Sequence, residues 1–285
     1  TNPLQIRYCC TYWGSEKDTP DVFVNKVLLA GYNGIEIFLP FLKDKFTEAF
    51  IEEVEGVMNK NADFLFIAQH IVAVENSSID DYINKVKKNL TELSAFQPSF
   101  INAHTGKDYF SFDDNCKLIE AALNISNKTG IRILHETHRG RFSYHAASLL
   151  PYLQKFPEME LVGDFSHFCT VSESMLEEQE EMIQQIIPHI AHIHARVGHE
   201  QGPQVNDPFA PEWENHFKIF EKWWEAILQH KKQKNTQTFS ITPEFGPLPY
   251  MPSIPYTKQP LSNQWDLNIK MMHHLKIRYK NKFDF

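Results

Sequence analysis

The chain has 285 residues, 42% of them hydrophobic and 22% charged, with 22 Phe but only 11 Gly. This composition supplies a large apolar core and excludes disorder, collagen-like repetition and glycine-rich linkers. With 28 basic against 36 acidic residues the net charge is -8, and no basic block of the kind that meets a duplex occurs, so nucleic acid is not an expected partner.

The N-terminal stretch TNPLQIRYCC lacks the basic segment and apolar run of an export signal. No apolar run reaches the roughly 18 residues of a membrane span. Cys9 and Cys10 are adjacent, and Cys116 and Cys169 form no CxxC pair, which suits a reducing compartment and a cytoplasmic location. Short apolar runs then alternate with helical stripes. The run Ile6 to Trp13 reads as a first strand, followed by Val24, Val27 and Leu28 on one helical face and a turn at Asn33–Gly34 into IEIF. Phe46, Phe50, Val54, Val57 and Met58 precede FLFIA. Ile79, Tyr82, Ile83, Val86, Leu90 and Leu93 precede FINA. Leu118, Ile119, Ala122 and Ile125 lead through Gly130 into IRIL, and Leu149, Leu150 and Leu153 lead into ELVG. Met175, Met182, Ile183, Ile186 and Ile187 precede IAHIHARV. Trp213, Phe217, Phe220, Trp224 and Leu228 form the strongest amphipathic helix, with Pro211 suited to its first turn, and TFSI is the last strand.

Eight strand–helix beats, with strand ends recurring about every 30 residues, predict a parallel sheet closed into a (β/α)8 TIM barrel as a single domain over residues 1–285. An open doubly wound sheet competes, but neither GxGxxG nor GxxxxGK[ST] is present. A Pro-rich loop, Pro247 to Pro260, precedes a C-terminal helical extension expected to pack over one end of the barrel.

In such a barrel the C-terminal strand ends share one rim, and polar groups recur there. These are His70, His104, Glu136, His138, Arg139, Arg141, Asp164, His167, His192, His194, Arg196, His199, Glu200 and Glu244. A carboxylate directly after an apolar strand is costly to bury without a partner. Glu136, Asp164 and Glu244 all stand in that position, and a metal ion would satisfy them together with an imidazole. Alternation puts His192, His194 and Arg196 on one side of their strand and leaves open which histidine is the ligand. His135, His145, His189, His216, His230, His273 and His274 are read as having no direct chemistry.

The segments HETHRGR, DFSH, HIHARVG and PEFG, in that order over nearly the whole chain, resemble the xylose-isomerase-like TIM-barrel superfamily. That group holds sugar isomerases and epimerases, inosose dehydratases and endonuclease IV-type repair enzymes. The resemblance implies one divalent ion (Mn, Co, Mg or Zn) on Glu136, Asp164, His194 and Glu244. It implies Glu136 and Glu244 as the acid/base pair of an enediolate-type isomerisation or epimerisation of a sugar, sugar phosphate or related polyol. His167 and Arg196 would hold substrate oxygens, Arg139 or Arg141 would meet a remote hydroxyl, carboxylate or phosphate, and His70 and His104 would line the pocket. Alternatives are an inosose-type dehydratase, an endonuclease IV-like phosphodiesterase and a barrel kept only for binding. The sequence departs from the epimerase pattern at Phe142 and Glu200, and from the nuclease pattern after Asp207, where no His follows. The expected partner is a small carbohydrate or polyol, with no membrane, and a homo-oligomer is left open.

Overall fold

In the computed structural model, which describes residues 3–73 and 76–284, strands and helices alternate along the chain. The Thr1–Asn2 start of the stretch read for an export signal lies outside the described residues. The order is β1 (Gln5–Thr11), α1 (Pro20–Leu29), β2 (Gly34–Ile37), α2 (Asp44–Lys60), β3 (Leu65–His70), α3 (Ile79–Ala95), β4 (Phe100–Ala103) and α4 (Phe112–Thr129). It continues with β5 (Ile133–Glu136), α5 (Ala146–Lys155), β6 (Leu161–Gly163), α6 (Ser166–Ser172), α7 (Glu180–Ile186), β7 (Ile190–Ala195), α8 (Glu214–Gln233) and β8 (Thr238–Pro243). A short hairpin, β9 (Ser253–Ile254) with β10 (Gln259–Pro260), and α9 (Gln264–Phe283) complete it. All eight barrel strands pair in parallel in chain order, and β8 pairs with β1 to close the ring. This is the expected (β/α)8 barrel, with its Pro-rich loop and C-terminal helical extension.

Alternation along the strands builds the barrel interior in tiers. An apolar floor is made by Cys9, Ile67, Phe100, Leu134 and Val162. Stepping two residues along β3, β4 and β5 from that floor gives Gln69, Asn102 and Glu136, and the same step from Val162 gives Asp164 just past β6. The side-chain period of two therefore sets polar groups directly above apolar ones. Gly34 on β2 lies where the ring is tightest, since a Cβ there would stand 2.8 Å from Cys9 Sγ and from Leu65 Cβ. Two residues above it is Glu36. The register between β6 and β7 slips by one residue, from Leu161↔Ile190 to Val162↔His192. A second, larger core of Leu, Ile, Val, Phe and Trp side chains fills the space between strands and helices. Serines cap two of the helices, Ser78 accepting from Asp81 N and Ser111 from Asp114 N, both at 3.1 Å.

Three local expectations differ. The first strand stops at Thr11, whose hydroxyl accepts from Trp13 N at 3.2 Å and turns the chain out of the sheet. Of the stripe from Met175 to Ile187, only Met182, Ile183 and Ile186 lie in α7, because Met175 falls in the turn after α6 where Glu173 and Leu176 take positive φ (48° and 61°), which ends a helix. The third concerns α9, which runs along the wall and not over one end. Its start binds the top of the barrel through Gln264 Nε2 to the carbonyls of Trp13 (2.7 Å) and Phe245 (2.9 Å). Further along, Arg278 and Lys282 pair with Glu225 of α8, and Lys276 donates to the Gly31 carbonyl beyond α1. The extension thus closes the helical ring between α8 and α1. Among the described residues, no helix is long and apolar enough to cross a membrane.

Candidate active site and metal centre

At the C-terminal mouth, β2, β5, β7 and β8 direct carboxylates and an imidazole to one point. His194 is at its centre. Its Nε2–H donates downward to Glu36 Oε2 at 2.8 Å, and since a carboxylate only accepts, that bond fixes the proton on Nε2. Its Nδ1 faces the opposite way, 2.8 Å from Glu136 Oε1, against Glu244 Oε2, and 3.8 Å from Asp164 Oδ2. His194, Glu136 and Asp164 are at most 2% exposed, and Glu244 is 7% exposed.

The two sides of this ring are satisfied to different degrees. Glu36, completely buried, receives Gln69 Nε2 (2.7 Å), Asn102 Nδ2 (2.9 Å), Thr242 Oγ1 (2.8 Å) and His192 Nε2 (3.1 Å) besides His194. Above the ring, His194 Nδ1 and Glu244 Oε2 are buried and make no hydrogen bond of proper geometry despite their closeness. Orphaned buried atoms of this kind are costly unless something stands between them. Four carboxylates, Glu36, Glu136, Asp164 and Glu244, are buried here together with the guanidinium of Arg196. Among the described residues three overlapping groups have metal-ligating geometry around Glu136, one with His194, Glu244 and Glu36, one with Asp164 and His167, and one with His104 and His138, while a fourth joins Glu36, His192 and His194 below. The site is therefore suited to one divalent cation, and oxygen-rich donors with one imidazole suit Mn, Co, Mg or Zn.

The electrostatics describe the metal-free protein. Burial disfavours charge on His194, but Glu244, Glu36 and Glu136 outweigh it and raise its pKa well above the ordinary value. Burial likewise opposes ionisation of Glu136, yet His194 and His104 hold its carboxyl well below the usual range. For Glu244 burial prevails and the pKa is pushed up to about 7. A proton on His194 stands where a cation would. The two glutamates are driven apart, as in an acid/base pair.

The remaining expected residues divide into a wall, a rim and an outlier. Arg196 is 1% exposed and donates from Nη2 to Asp164 Oδ2 at 2.5 Å, while Nη1 lies 3.5 Å from Glu244 Oε1. Arg139 donates from Nε to His167 Nδ1 and from Nη2 to the Tyr250 hydroxyl, both at 3.0 Å. Tyr250, from the Pro-rich loop, also lies under the Arg196 guanidinium, 4.9 Å from ring to charge. His104 Nε2 is 3.1 Å from Glu136 Oε2, and the partly exposed His138 approaches the same oxygen at 3.7 Å. Burial pushes the His138 pKa down to about 3, so its imidazole is neutral. Arg141 donates to the carbonyls of His104 and Gly106, each at 3.4 Å, and lies by the Tyr82 hydroxyl. His70 is buried with neither ring nitrogen bonded, and among the described residues it joins no acid–imidazole group. His192 binds Ser240 Oγ (2.6 Å) through Nδ1 and meets Glu36 and Thr242 through Nε2, so both its nitrogens are used below the plane of His194. Glu36, Gln69, Asn102 and Tyr250 were not anticipated. The signal for Glu36 was available, because it is a carboxylate inside the apolar run IEIF.

Fold and site define a parallel (β/α)8 barrel with a buried acid–imidazole cluster at its C-terminal mouth. No protein-family model matches the chain, and no curated protein matches it. Solved structures do. A probable 3-DHS dehydratase from Bacillus anthracis is 17% identical with a TM-score of 0.61, covering 95% of this chain and 98% of its own. The 3-keto-D-glucoside 4-epimerase from E. coli is 14% identical with a TM-score of 0.56, covering 96% and 100%. A xylose isomerase-like TIM-barrel protein from Mycobacterium smegmatis, solved with magnesium, is 12% identical with a TM-score of 0.52, covering 85% and 89%. The chain shares the (β/α)8 barrel fold of these proteins.

Proposed function

We propose that the protein is a divalent-metal-dependent enzyme that isomerises or epimerises a sugar, sugar phosphate or related polyol. The observation that carries this reading is the buried, orphaned pair His194 Nδ1 and Glu244 Oε2 beside Glu136, aimed at one point from three strands. Glu136, Asp164, His194 through Nδ1, and Glu244 hold the ion, with Glu36 orienting His194 from below. When bound, the ion supplies Lewis acidity that polarises a substrate C–O group. Glu136 and Glu244 form the acid/base pair. One takes the proton from the carbon beside the carbonyl, giving an enediolate-type substrate, and the other or the same one returns it. Return to the opposite face inverts the centre, whereas transfer between adjacent carbons interconverts aldose and ketose. Arg196 aims Asp164 through its hydrogen bond to Oδ2, while His104, His167 and Arg139 supply donors to substrate oxygens. The likeness to the E. coli 4-epimerase supports this class.

A second reading, a lyase that removes water, is favoured by the neutral His138 beside Glu136 and by the likeness to the probable dehydratase. One experiment separates them. The protein, loaded with Mn²⁺, is incubated in D₂O with ketoses, ketose phosphates, inososes and hydroxypyruvate and followed by NMR. The isomerase or epimerase reading expects deuterium beside a carbonyl in an isomer of the starting compound. A deoxy or dicarbonyl product with released water supports the lyase. Unchanged substrates throughout, with metal bound, contradict both.

A further inference from the structure

The chain has six arginines, and the partners of Arg141 set it apart from the other five. Arg7, Arg132, Arg196 and Arg278 pair with Asp63, Glu160, Asp164 and Glu225, and Arg139 donates to His167 and Tyr250. Arg141 is half-buried and meets two carbonyl oxygens and the Tyr82 hydroxyl. Lys107 stands beside it, 7% exposed, with its ammonium 6.0 Å from the Tyr82 ring and, among the described residues, no ion pair. Glu136 and Asp108 act on Arg141, and Asp108 on Lys107, only from beyond ion-pair distance. Burial and the neighbouring guanidinium both push the Lys107 pKa down.

The two cations are held together by structure. Asp108 N donates to the Gly140 carbonyl and Phe142 N to the Thr105 carbonyl, both at 3.1 Å, stitching the loop after β4 to the loop after β5. Gly106 takes φ +65°, and an added Cβ would overlap Asn115 Oδ1. That close approach lets the buried Asn115 bracket Lys107, accepting from its N at 3.3 Å and donating to its carbonyl at 3.0 Å. Two like charges, partly desolvated and, among the described residues, with no carboxylate at ion-pair distance, repel each other unless an anion joins them. His70, buried with both nitrogens unbonded, lies close enough for Arg141 to disfavour its charge. Arg141 donates to the carbonyl of His104, whose Nε2 stands 3.1 Å from Glu136 Oε2, so the cluster flanks the candidate metal site.

We infer that Lys107 and Arg141 form an anion subsite, so that the substrate of the proposed reaction carries a carboxylate or phosphate group at the end remote from the ion. This rests on the reading of the site given above, and its test is kept separate. Metal-free protein is titrated calorimetrically with inorganic phosphate, with malonate and with glycerol as neutral control. Mn²⁺ stoichiometry is measured on the same preparations. Phosphate or malonate should bind, whichever is tighter naming the group, and glycerol should not. Lys107→Met and Arg141→Met should each weaken that binding at least about tenfold, the loss of one charge-assisted hydrogen bond, with Mn²⁺ stoichiometry unchanged. In anion-free buffer Lys107→Met should not lower the melting temperature, because it removes a repulsion, whereas a purely structural lysine would lower it. If Arg141→Met fails to fold, Arg141→Lys and Lys107→Met carry the test. No anion binding to the wild type, or equal binding by the variants, overturns the inference. Failure of the wild type to take up Mn²⁺ overturns the proposed function and leaves the anion result standing.

Discussion

The two faces of the His194 ring differ in one respect. Below it, Glu36 is met by five donor groups, from Gln69, Asn102, His192, His194 and Thr242, and its oxygens are fully used. Above it, Glu136, Asp164 and Glu244 crowd around an Nδ1 that forms no hydrogen bond. Both faces are buried and both are acidic. A buried carboxylate with all its lone pairs satisfied fixes geometry, whereas carboxylates left facing each other and an unbonded nitrogen mark where a cation belongs.

Changes to the upper face should have the largest effects. Glu136→Ala or His194→Ala should abolish stoichiometric metal binding, read by elemental analysis after dialysis, with the barrel's circular dichroism retained. Glu244→Gln keeps the shape but loses the base, and turnover should fall by about 10²-fold or more. If its turnover equals that of the wild type with metal bound, Glu244 has no acid/base role. The lower face acts through the upper one. Glu36→Gln turns one acceptor oxygen into a donor against Asn102 and Gln69, frees the His194 tautomer, and should weaken metal affinity about 10–100-fold. Metal binding should also depend on pH. Because the pKa of Glu244 is pushed up to about 7 and that of His194 is raised well above its ordinary value, the metal must displace protons from both. Apparent affinity should therefore rise with pH, roughly tenfold per unit for each proton released. Calorimetry in two buffers of different ionisation heat counts those protons, and a pH-independent affinity between about pH 6 and 8 would refute the assignment. The smallest effect belongs to the lower face alone. Ser240→Ala removes the 2.6 Å contact to His192 and should cost about 1 kcal/mol in urea denaturation without changing metal affinity.

The same division explains what was legible in the sequence. The barrel was readable because strands covered on both faces are continuous apolar runs, and Glu136, Asp164 and Glu244 stood out where those runs stop. Glu36 was hidden because it sits within a run, at the second tier of a four-residue strand, and not at its end. Like the other three carboxylates, it is costly to bury without a partner. Asn102 inside FINA was hidden in the same way. His192 and His194 share one side of β7, and what sets them apart, the partners that occupy both His192 nitrogens, comes from neighbouring strands that no single-strand pattern contains. Tyr250 and Lys107 are placed by loop paths, and the position of α9 by the last gap in the helical ring. All three are set by tertiary packing.

The account's central claim is that the ion belongs on the upper face. Anomalous diffraction from crystals grown with Mn²⁺ tests it directly. The expected result is one peak within about 2.6 Å of His194 Nδ1 and of oxygens of Glu136, Asp164 and Glu244, with Glu36 still hydrogen-bonded to Nε2. A peak on the Glu36 and His192 side, or no peak at full manganese loading, would contradict it.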